Sequence, residues 1–229
     1  MSKRQDFKRL NTRQASIVEV GGFRPSGDPF ASNFGLQAVG VPGQLWPRFE
    51  EQAMLFVCQL NLTEAPVIPA SLEDIKLITF FTTVLGGLSK AQENGHDWRL
   101  FAHTSLDGLV PIIRPADASR LHRGAECRWT LSDDHPEFDD PERQPIEGFD
   151  DSEVELENIA RTKIGGYAST IQSEPWWHLS EHRSQPGYCL QINSEEKVGL
   201  MFGDAGIVYL ARGTAEGSKD EWFLDGQCY

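Results

Sequence analysis

The chain has 229 residues, of which 39% are hydrophobic and 10% aromatic, so it is long and apolar enough to fold around a buried core. Its formal net charge of −13 argues against a nucleic-acid partner, because phosphate binding needs a concentrated basic surface. No apolar run reaches the roughly 18–20 residues that cross a bilayer, so no membrane partner is predicted, and 21 Gly and 13 Pro favour a β-rich architecture.

The first half of the chain, about residues 16–125, is predicted to consist mainly of strands. Residues 1–15 precede it as an N-terminal arm, either a short polar helix or a disordered segment. Apolar and β-branched segments predict strands at residues 16–23, 53–62, 76–85 and 98–105. Residues 115–124 begin with Pro and Asp near an N-cap, which predicts one or two helical turns.

An acidic segment follows a further predicted strand at residues 126–132. From Ser132 to Glu157 the sequence has 12 acidic residues and a single base, Arg143. Dense like charge resists packing, which favours a solvated loop, but the same charge also suits an electrostatic docking surface for a basic protein. We treat residues 133–157 as an acidic insert or loop. Its candidate partner-binding residues are Asp133, Asp134, Glu137, Asp139, Asp140, Glu142, Asp150 and Asp151.

The second half, about residues 158–229, repeats features of the first in the same order. FVCQLNL at 56–62 aligns with YCLQINS at 188–194, and an apolar strand follows each segment. A Gly-Gly-aromatic triplet precedes each of them, at 21–23 and at 165–167. Because no clean linker divides the halves, we expect one domain over residues 1–229. The predicted fold class is α+β and β-rich, with two pseudo-repeated halves, antiparallel or mixed sheets and a few short helices, one of them at 152–160.

Two glutamines interrupt apolar strands at equivalent points of the repeat. Gln59 and Gln191 must find hydrogen-bond partners, because an unsatisfied buried amide costs about 1–3 kcal/mol. They either satisfy the backbone of nearby loops or line a shared pocket between the two halves. The possible pocket residues are Gln59, Asn61, Gln191, Asn193, Trp176 and Asp204.

The glycine-bracketed acid in GLMFGDAGIVYL raises the question of a phosphate or metal loop at residues 203–206. A phosphate loop is normally followed by Lys-Ser/Thr and a helix, whereas here the apolar segment IVYL follows. We therefore predict the turn of a hairpin, with KVGLMF as the preceding strand.

The sequence points to no catalytic residue, no metal and no cofactor. It has no Gly-x-Ser-x-Gly elbow, and Cys58 and Cys189 lie in apolar strands, where a thiol is normally inert. His178 and His182 are four residues apart, but their segment is short and bounded by proline. The enzyme question stays open and leans towards no.

The four cysteines are scattered without close pairing, and no apolar leader follows the basic N-terminus. Both observations predict reduced thiols and a cytoplasmic location.

Several motifs carry a resemblance to a known family: KIGGYASTIQ at 163–172, GYCLQIN at 187–193, VGLMFGDAGIVYL at 198–210 and WFLDGQCY at 222–229. In the first half, Trp46-Pro47 precedes the strand LFVCQLNL. From about residue 20 to its end, the chain resembles the YwqG-like family of uncharacterised bacterial proteins. The resemblance implies a soluble, β-rich α+β fold without an established reaction, and similar members occur among candidate immunity proteins of toxin systems.

The expected function is that of a non-enzymatic, cytoplasmic protein-binding protein. Its most concrete form is an immunity-type inhibitor that docks on a cognate toxin or another basic protein through the acidic surface. The alternative is a small-molecule-binding protein or an enzyme with a pocket between the two repeated halves.

Overall fold

The computed structural model describes residues 2–83, 94–152, 154–178 and 181–229. Within these ranges, helical structure is confined to one α-helix, α1 (Lys3–Leu10), and to 3-10 turns at Leu62–Glu64, Ala70–Leu72 and Glu196–Val198. The strands are β1 (Arg13–Val20), β2 (Asn33–Phe34), β3 (Val39–Gly40), β4 (Arg48–Phe49), β5 (Gln52–Ala53), β6 (Leu55–Asn61), β7 (Leu77–Thr82), β8 (Trp98–His103), β9 (Val110–Pro111), β10 (Ala125–Asp134), β11 (Lys163–Gly165), β12 (Pro186–Asn193), β13 (Ile207–Gly213) and β14 (Trp222–Gln227).

Ten of these strands form one antiparallel sheet in the order β14-β13-β12-β11-β1-β10-β2-β6-β7-β8. The others form two short ribbons, β3–β9 and β4–β5. On one side of the central β1–β10 pair lie β2, β6, β7 and β8, which we call the first arm. On the other side lie β11, β12, β13 and β14, the second arm. β1 pairs with β11 of the second arm, whereas β10 pairs with β2 of the first.

The long hairpins of the two arms share their irregularities. In the first arm, the β6–β7 register shifts between Phe56 and Cys58. In the second arm, the β12–β13 register shifts between Tyr188 and Leu190. These shifts lie at the same distance from the C-terminal ends of β6 and β12, so the hairpins bend at the same place.

Both faces of the sheet are covered, which explains why β6, β7 and β13 are buried at every position. The main core draws on both arms, with Val57, Phe80, Leu190 and Val208 among its members. Each arm also has a smaller apolar cluster of its own. These clusters include Trp46, Phe56 and Phe81 in the first arm, and Trp177, Tyr209 and Ala211 in the second.

The strands predicted from apolar runs are confirmed within a few residues, but two predicted helices are wrong. Residues 115–124 form turns, and the described residues 154–160 are irregular. In the latter segment the Ile159 N–H donates to the buried carboxylate of Asp134, at 2.8 Å. A tertiary acceptor thus takes a donor that a helix would bond internally.

The two Gly-Gly-aromatic triplets do not occupy equivalent positions in the sheet. Gly21 and Gly22 follow β1, whereas Gly165 ends β11. The place in the first arm that corresponds to Gly165, directly after β2, is held by Gly35. Both residues have positive φ, 66° at Gly35 and 73° at Gly165.

Candidate functional site

The acidic segment, residues 133–157, is attached to the N-terminal helix by hydrogen bonds. The amide of Asn11 donates to the Gln144 carbonyl at 2.9 Å, and its oxygen accepts from the Gln144 N–H at 2.7 Å. The Lys3 ammonium donates to the carbonyls of Glu147 and Gly148, at 3.1 and 3.0 Å. The N-terminal arm is therefore a helix that anchors the segment, which was one of the two predicted alternatives.

Arg143, the one base of the segment, holds it together from inside. Its guanidinium donates two hydrogen bonds to one carboxylate oxygen of Asp151, at 3.0 and 2.8 Å. It also lies 5.1 Å from the ring centre of Phe7 in α1 and 5.0 Å from that of Phe138. Phe7 in turn contacts Phe149, with 5.7 Å between ring centres. The segment thus has its own small packed interior despite its charge.

Four of the eight predicted partner-binding acids face solvent, namely Asp133, Asp139, Glu142 and Asp150. With twelve acids and one base, residues 133–157 carry a formal −11 of the total −13. The exposed acids are Asp133, Asp139, Glu142, Glu147, Asp150, Glu155 and Glu157, and the half-buried ones are Glu137, Asp140 and Asp151. Burial and neighbouring acids raise the pKa of Glu137, and burial is the main cause of the raised pKa of Asp140. Glu142 is paired with Arg13.

Asp134 does not belong to this exposed surface, because its side chain is fully buried. One oxygen accepts from the Lys163 ammonium at 2.7 Å and from the Tyr167 N–H at 2.8 Å. The other accepts from the Ile159 N–H. Gly166 has φ of +65°, and a Cβ there would lie 2.2 Å from the Asp134 carboxylate, so only glycine fits. The carboxylate is an internal anchor for the loop around β11.

The sequence reading missed Lys163, which is as fully buried as Asp134. Burial lowers the pKa of its ammonium, and the Asp134 carboxylate opposes this shift. Lys163 also donates to the Ser169 hydroxyl at 3.2 Å. A lysine beside a serine can activate a nucleophile, but both side chains are buried, and they bond to loops. Lys163 precedes the apolar Ile164 in the short strand β11. A charged residue inside a strand was the signal in the sequence that could have indicated a buried ion pair.

Gln59 and Gln191 perform the same task in the two arms. The Gln59 oxygen accepts from the Val39 N–H at 3.0 Å, and its nitrogen donates to the carbonyls of Pro29 and Ala31 at 2.8 and 3.1 Å. The Gln59 amide is thus satisfied by backbone groups on either side of β2.

In the second arm the Gln191 oxygen accepts from the Ser169 N–H at 2.9 Å. Its nitrogen donates to the Arg161 carbonyl at 3.0 Å and to the Asn193 amide oxygen at 2.9 Å. The structure therefore brings Gln191 and Asn193 together, but in a network separate from that of Gln59.

The other predicted pocket residues lie apart. The Asn61 oxygen accepts from the Thr63 N–H and caps the 3-10 turn after β6. The half-buried Trp176 donates its indole N–H to the Leu224 carbonyl at 3.0 Å. Asp204 is exposed in its turn. These placements do not assemble the six residues into one pocket.

Residues 203–206 form a turn, as predicted, but KVGLMF is not a strand. It overlaps the 3-10 turn Glu196–Val198, and its Leu200 forms an isolated bridge with Glu195. A Cβ on Gly206 would lie 2.3 Å from the Gln227 carbonyl oxygen and 2.4 Å from that of Phe202. The glycine allows close backbone packing against the end of β14.

A cleft of about 610 Å³ lies where the two edge strands of the sheet approach each other. β8 contributes Leu100–His103, and β14 contributes Trp222. Arg212 and Asp74 form a bidentate ion pair in its wall, at 2.6 and 2.9 Å. The hydrogen bonds to Arg212 lower the pKa of Asp74. The sequence gave no sign of this site, because its residues come from distant parts of the chain.

Burial raises the pKa of Cys58, Cys127 and Cys189, to about 12 for the latter two. No cluster of three or more His, Cys, Asp or Glu able to hold a metal occurs among the described residues. The described helix is too short to traverse a bilayer.

A family model described as a domain of unknown function, DUF1963, matches residues 32–211. The chain belongs to the DUF1963 family. The matched range covers both arms of the sheet from β2 to β13, together with the acidic segment. A comparison with curated proteins finds no match.

Proposed function

We propose that this DUF1963 chain is a non-enzymatic, cytoplasmic protein-binding protein whose acidic segment docks on a basic partner protein. The observation that carries the proposal is the concentration of seven exposed acids on a segment that α1 and Arg143 hold in place. A held segment presents its charge without the ordering cost that a free loop would incur on binding.

The charge distribution favours fast, salt-sensitive association. Residues 133–157 hold a formal −11, so the rest of the chain is close to neutral. A field of one sign concentrated on one surface attracts an oppositely charged partner and orients it during encounter. A basic protein is therefore the partner whose chemistry fits.

A toxin is the most concrete partner, and the inhibitor is then of the immunity type. The support is the resemblance of the chain to YwqG-like proteins, which occur among candidate immunity proteins of bacterial toxin systems. A neighbouring reading frame with a toxin-like domain would strengthen the assignment, and a toxin that stays active with this chain bound would contradict it.

The two arms, we infer, derive from an internal duplication in which the first strands were exchanged. The mirrored strand order, the two matching bulges and the equal tasks of Gln59 and Gln191 support the inference. Equal costs of removing the two glutamines are expected from this relationship, and clearly unequal costs would count against it.

A small-molecule pocket lined by Gln59 and Gln191 is the weaker alternative. Both amides are bonded to loops of their own arms. The cleft between the sheet edges is lined by other residues.

The experiment is a kinetic comparison with a partner purified from the native cytoplasm. One variant neutralises four exposed acids of the segment: Asp133→Asn, Asp139→Asn, Glu147→Gln and Asp150→Asn. The matched control neutralises four exposed acids elsewhere: Glu19→Gln, Glu51→Gln, Asp107→Asn and Glu216→Gln. We expect the first variant to associate about tenfold more slowly at low salt and with a weaker salt dependence. Equal association rates for both variants would overturn the proposal.

A further inference from the structure

The outer edge of β8 has backbone groups that do not pair with β7. The Thr83 N–H donates to the Asp97 carbonyl, so this pair is a bonded one in the β7–β8 ladder. Bonded and non-bonded pairs alternate in an antiparallel ladder. The backbone groups of Trp98, Leu100 and Ala102 therefore point away from β7.

Side chains already occupy part of both sheet edges. The Asn94 side chain accepts from the Leu100 N–H at 2.9 Å and donates to the Leu100 carbonyl at 3.0 Å. On β14 the Leu224 carbonyl accepts from the Trp176 indole. Exposed strand edges recruit further strands unless they are covered. Among the described residues, this cover reaches Leu100 but not the end of β8.

Ala102 is the uncovered position. Its N–H and C=O have no hydrogen-bond partner within the described ranges, and the residue lines the cleft. Two further wall atoms, Nε2 of Gln44 and Nε2 of His103, also lack a partner there. Burial lowers the pKa of His103, which keeps its ring neutral at neutral pH. The cleft therefore has unused backbone and side-chain hydrogen-bonding capacity.

An exposed apolar patch borders the same cleft. It consists of Val41, which follows β3 and is 52% exposed, and Leu45, which is 84% exposed. Val41 also lines the cleft. Clustered exposed apolar side chains of this size mark interaction surfaces.

The charge of the cleft favours a basic occupant. Asp74 is neutralised by Arg212, whereas Asp220 lines the cleft, is exposed and belongs to no ion pair among the described residues. The cleft lining thus holds two carboxylates, Asp74 and Asp220, against one guanidinium, that of Arg212.

We propose that this cleft binds an extended segment of a partner protein, which adds a strand to the β8 edge at Ala102. Its apolar side chains contact the Val41 and Leu45 rim, and a basic side chain pairs with Asp220. This mode of recognition takes its affinity from backbone hydrogen bonds and its specificity from side-chain contacts. The inference rests on the proposed protein-binding function and gives the partner a second contact surface, away from the acidic segment.

The test uses a short synthetic peptide of alternating Val and Lys, and the same peptide with alternate amides N-methylated. Fluorescence anisotropy measures binding to the full chain, and amide NMR shifts locate it. We expect the parent peptide to bind and to shift the Ala102 and Trp222 amides. The N-methylated peptide should bind about tenfold more weakly, because it cannot pair with a strand edge.

Two variants and a control sharpen this test. Ala102→Pro removes an N–H that points away from β7 and so spares the ladder. Asp220→Lys reverses the free charge, and Glu216→Lys makes the same change in the same β13–β14 connection, outside the cleft lining. We expect the first two to weaken peptide binding about tenfold and the control to leave it unchanged.

Three results would overturn the proposal: no binding of the parent peptide, equal binding of the N-methylated peptide, or NMR shifts confined to residues 133–157. Repeating the titration with the four-acid variant of the acidic segment separates the two proposals. Unchanged peptide binding there supports the cleft whatever that variant does to partner association. Lost binding there assigns the peptide to the acidic segment and contradicts the cleft.

Discussion

The two arms of the sheet solve the same local problem with different chemistry. In each arm a short strand next to the central pair, β2 or β11, is followed by a loop whose backbone N–H groups need acceptors. In the first arm the Asn33 oxygen accepts from the Leu36 and Gln37 N–H groups, at 3.1 and 3.2 Å. In the second arm the residue at the corresponding place is Lys163.

Lys163 cannot accept a hydrogen bond, so the second arm brings in Asp134 from β10. Asp134 accepts from both the lysine and the Tyr167 N–H of the loop. A neutral amide in the first arm is thus matched by a fully buried ion pair in the second. The comparison teaches that one backbone arrangement can be kept by one neutral residue or by two charged ones, and that the charged form depends on both partners.

The largest expected effect comes from breaking the ion pair. Asp134→Ala leaves the Lys163 ammonium buried without its counter-charge and removes the acceptor for two loop N–H groups. We expect the free energy of unfolding to fall by about 3–5 kcal/mol, measured by urea denaturation.

Asp133→Ala is the matched control, because Asp133, the neighbour of Asp134 on β10, is exposed. Its expected change is within about 0.5 kcal/mol. Similar urea midpoints for the two variants would show that the buried pair does not anchor the loop.

An intermediate loss of stability is expected from removing the buried glutamine that each arm contains. Gln59→Ala removes the acceptor of the buried Val39 N–H, and Gln191→Ala removes that of the buried Ser169 N–H. We expect each to lower the free energy of unfolding by about 1–3 kcal/mol, by similar amounts, as urea denaturation would measure. Gln14→Ala, at an exposed position of β1, should change it little. A large loss of unfolding free energy for only one of the two variants would contradict the equivalence of the arms.

The smallest effect comes from Asp74, which contacts Arg212 of the second arm. The pKa of Asp74 is lowered by the hydrogen bonds from Arg212. Its stabilising contribution is therefore present above the unfolded-state pKa, about 3.9, and is lost as the pH falls through the lower folded-state pKa. Because the Asp74 side chain is 44% exposed, we expect Asp74→Asn to cost under about 1 kcal/mol.

The measurement is the urea midpoint at neutral pH and again below pH 4. We expect the difference between wild type and Asp74→Asn to shrink at the acid end. Asp107→Asn, an exposed acid without an ion pair among the described residues, serves as the control. A difference that grows on acidification would contradict the assigned sign.

Much of the sheet could be predicted from local pattern. Strands such as β6, β7 and β13 are short apolar runs bounded by turn residues. A run of this length and composition is typical of a buried strand. The 152–160 helix failed because the Asp134 carboxylate takes the Ile159 N–H, a partner that no local window contains. The candidate sites also differ in whether a local stretch of sequence reveals them. The acidic segment is visible in composition, whereas the cleft joins Val41, Ala102 and Trp222 only after the sheet has curled.

The sequence by itself determined the β-rich class, the turn at 203–206 and the need of Gln59 and Gln191 for partners, because each follows from local apolar pattern and hydrogen-bonding chemistry. Only the tertiary structure decided that Asp134 is buried with Lys163 while Asp133 faces solvent. It also decided that β1 pairs with β11 and β10 with β2, and that Ala102, whose backbone has no partner among the described residues, faces a cleft. These features depend on strand register and long-range pairing, which set each side chain on one face or the other.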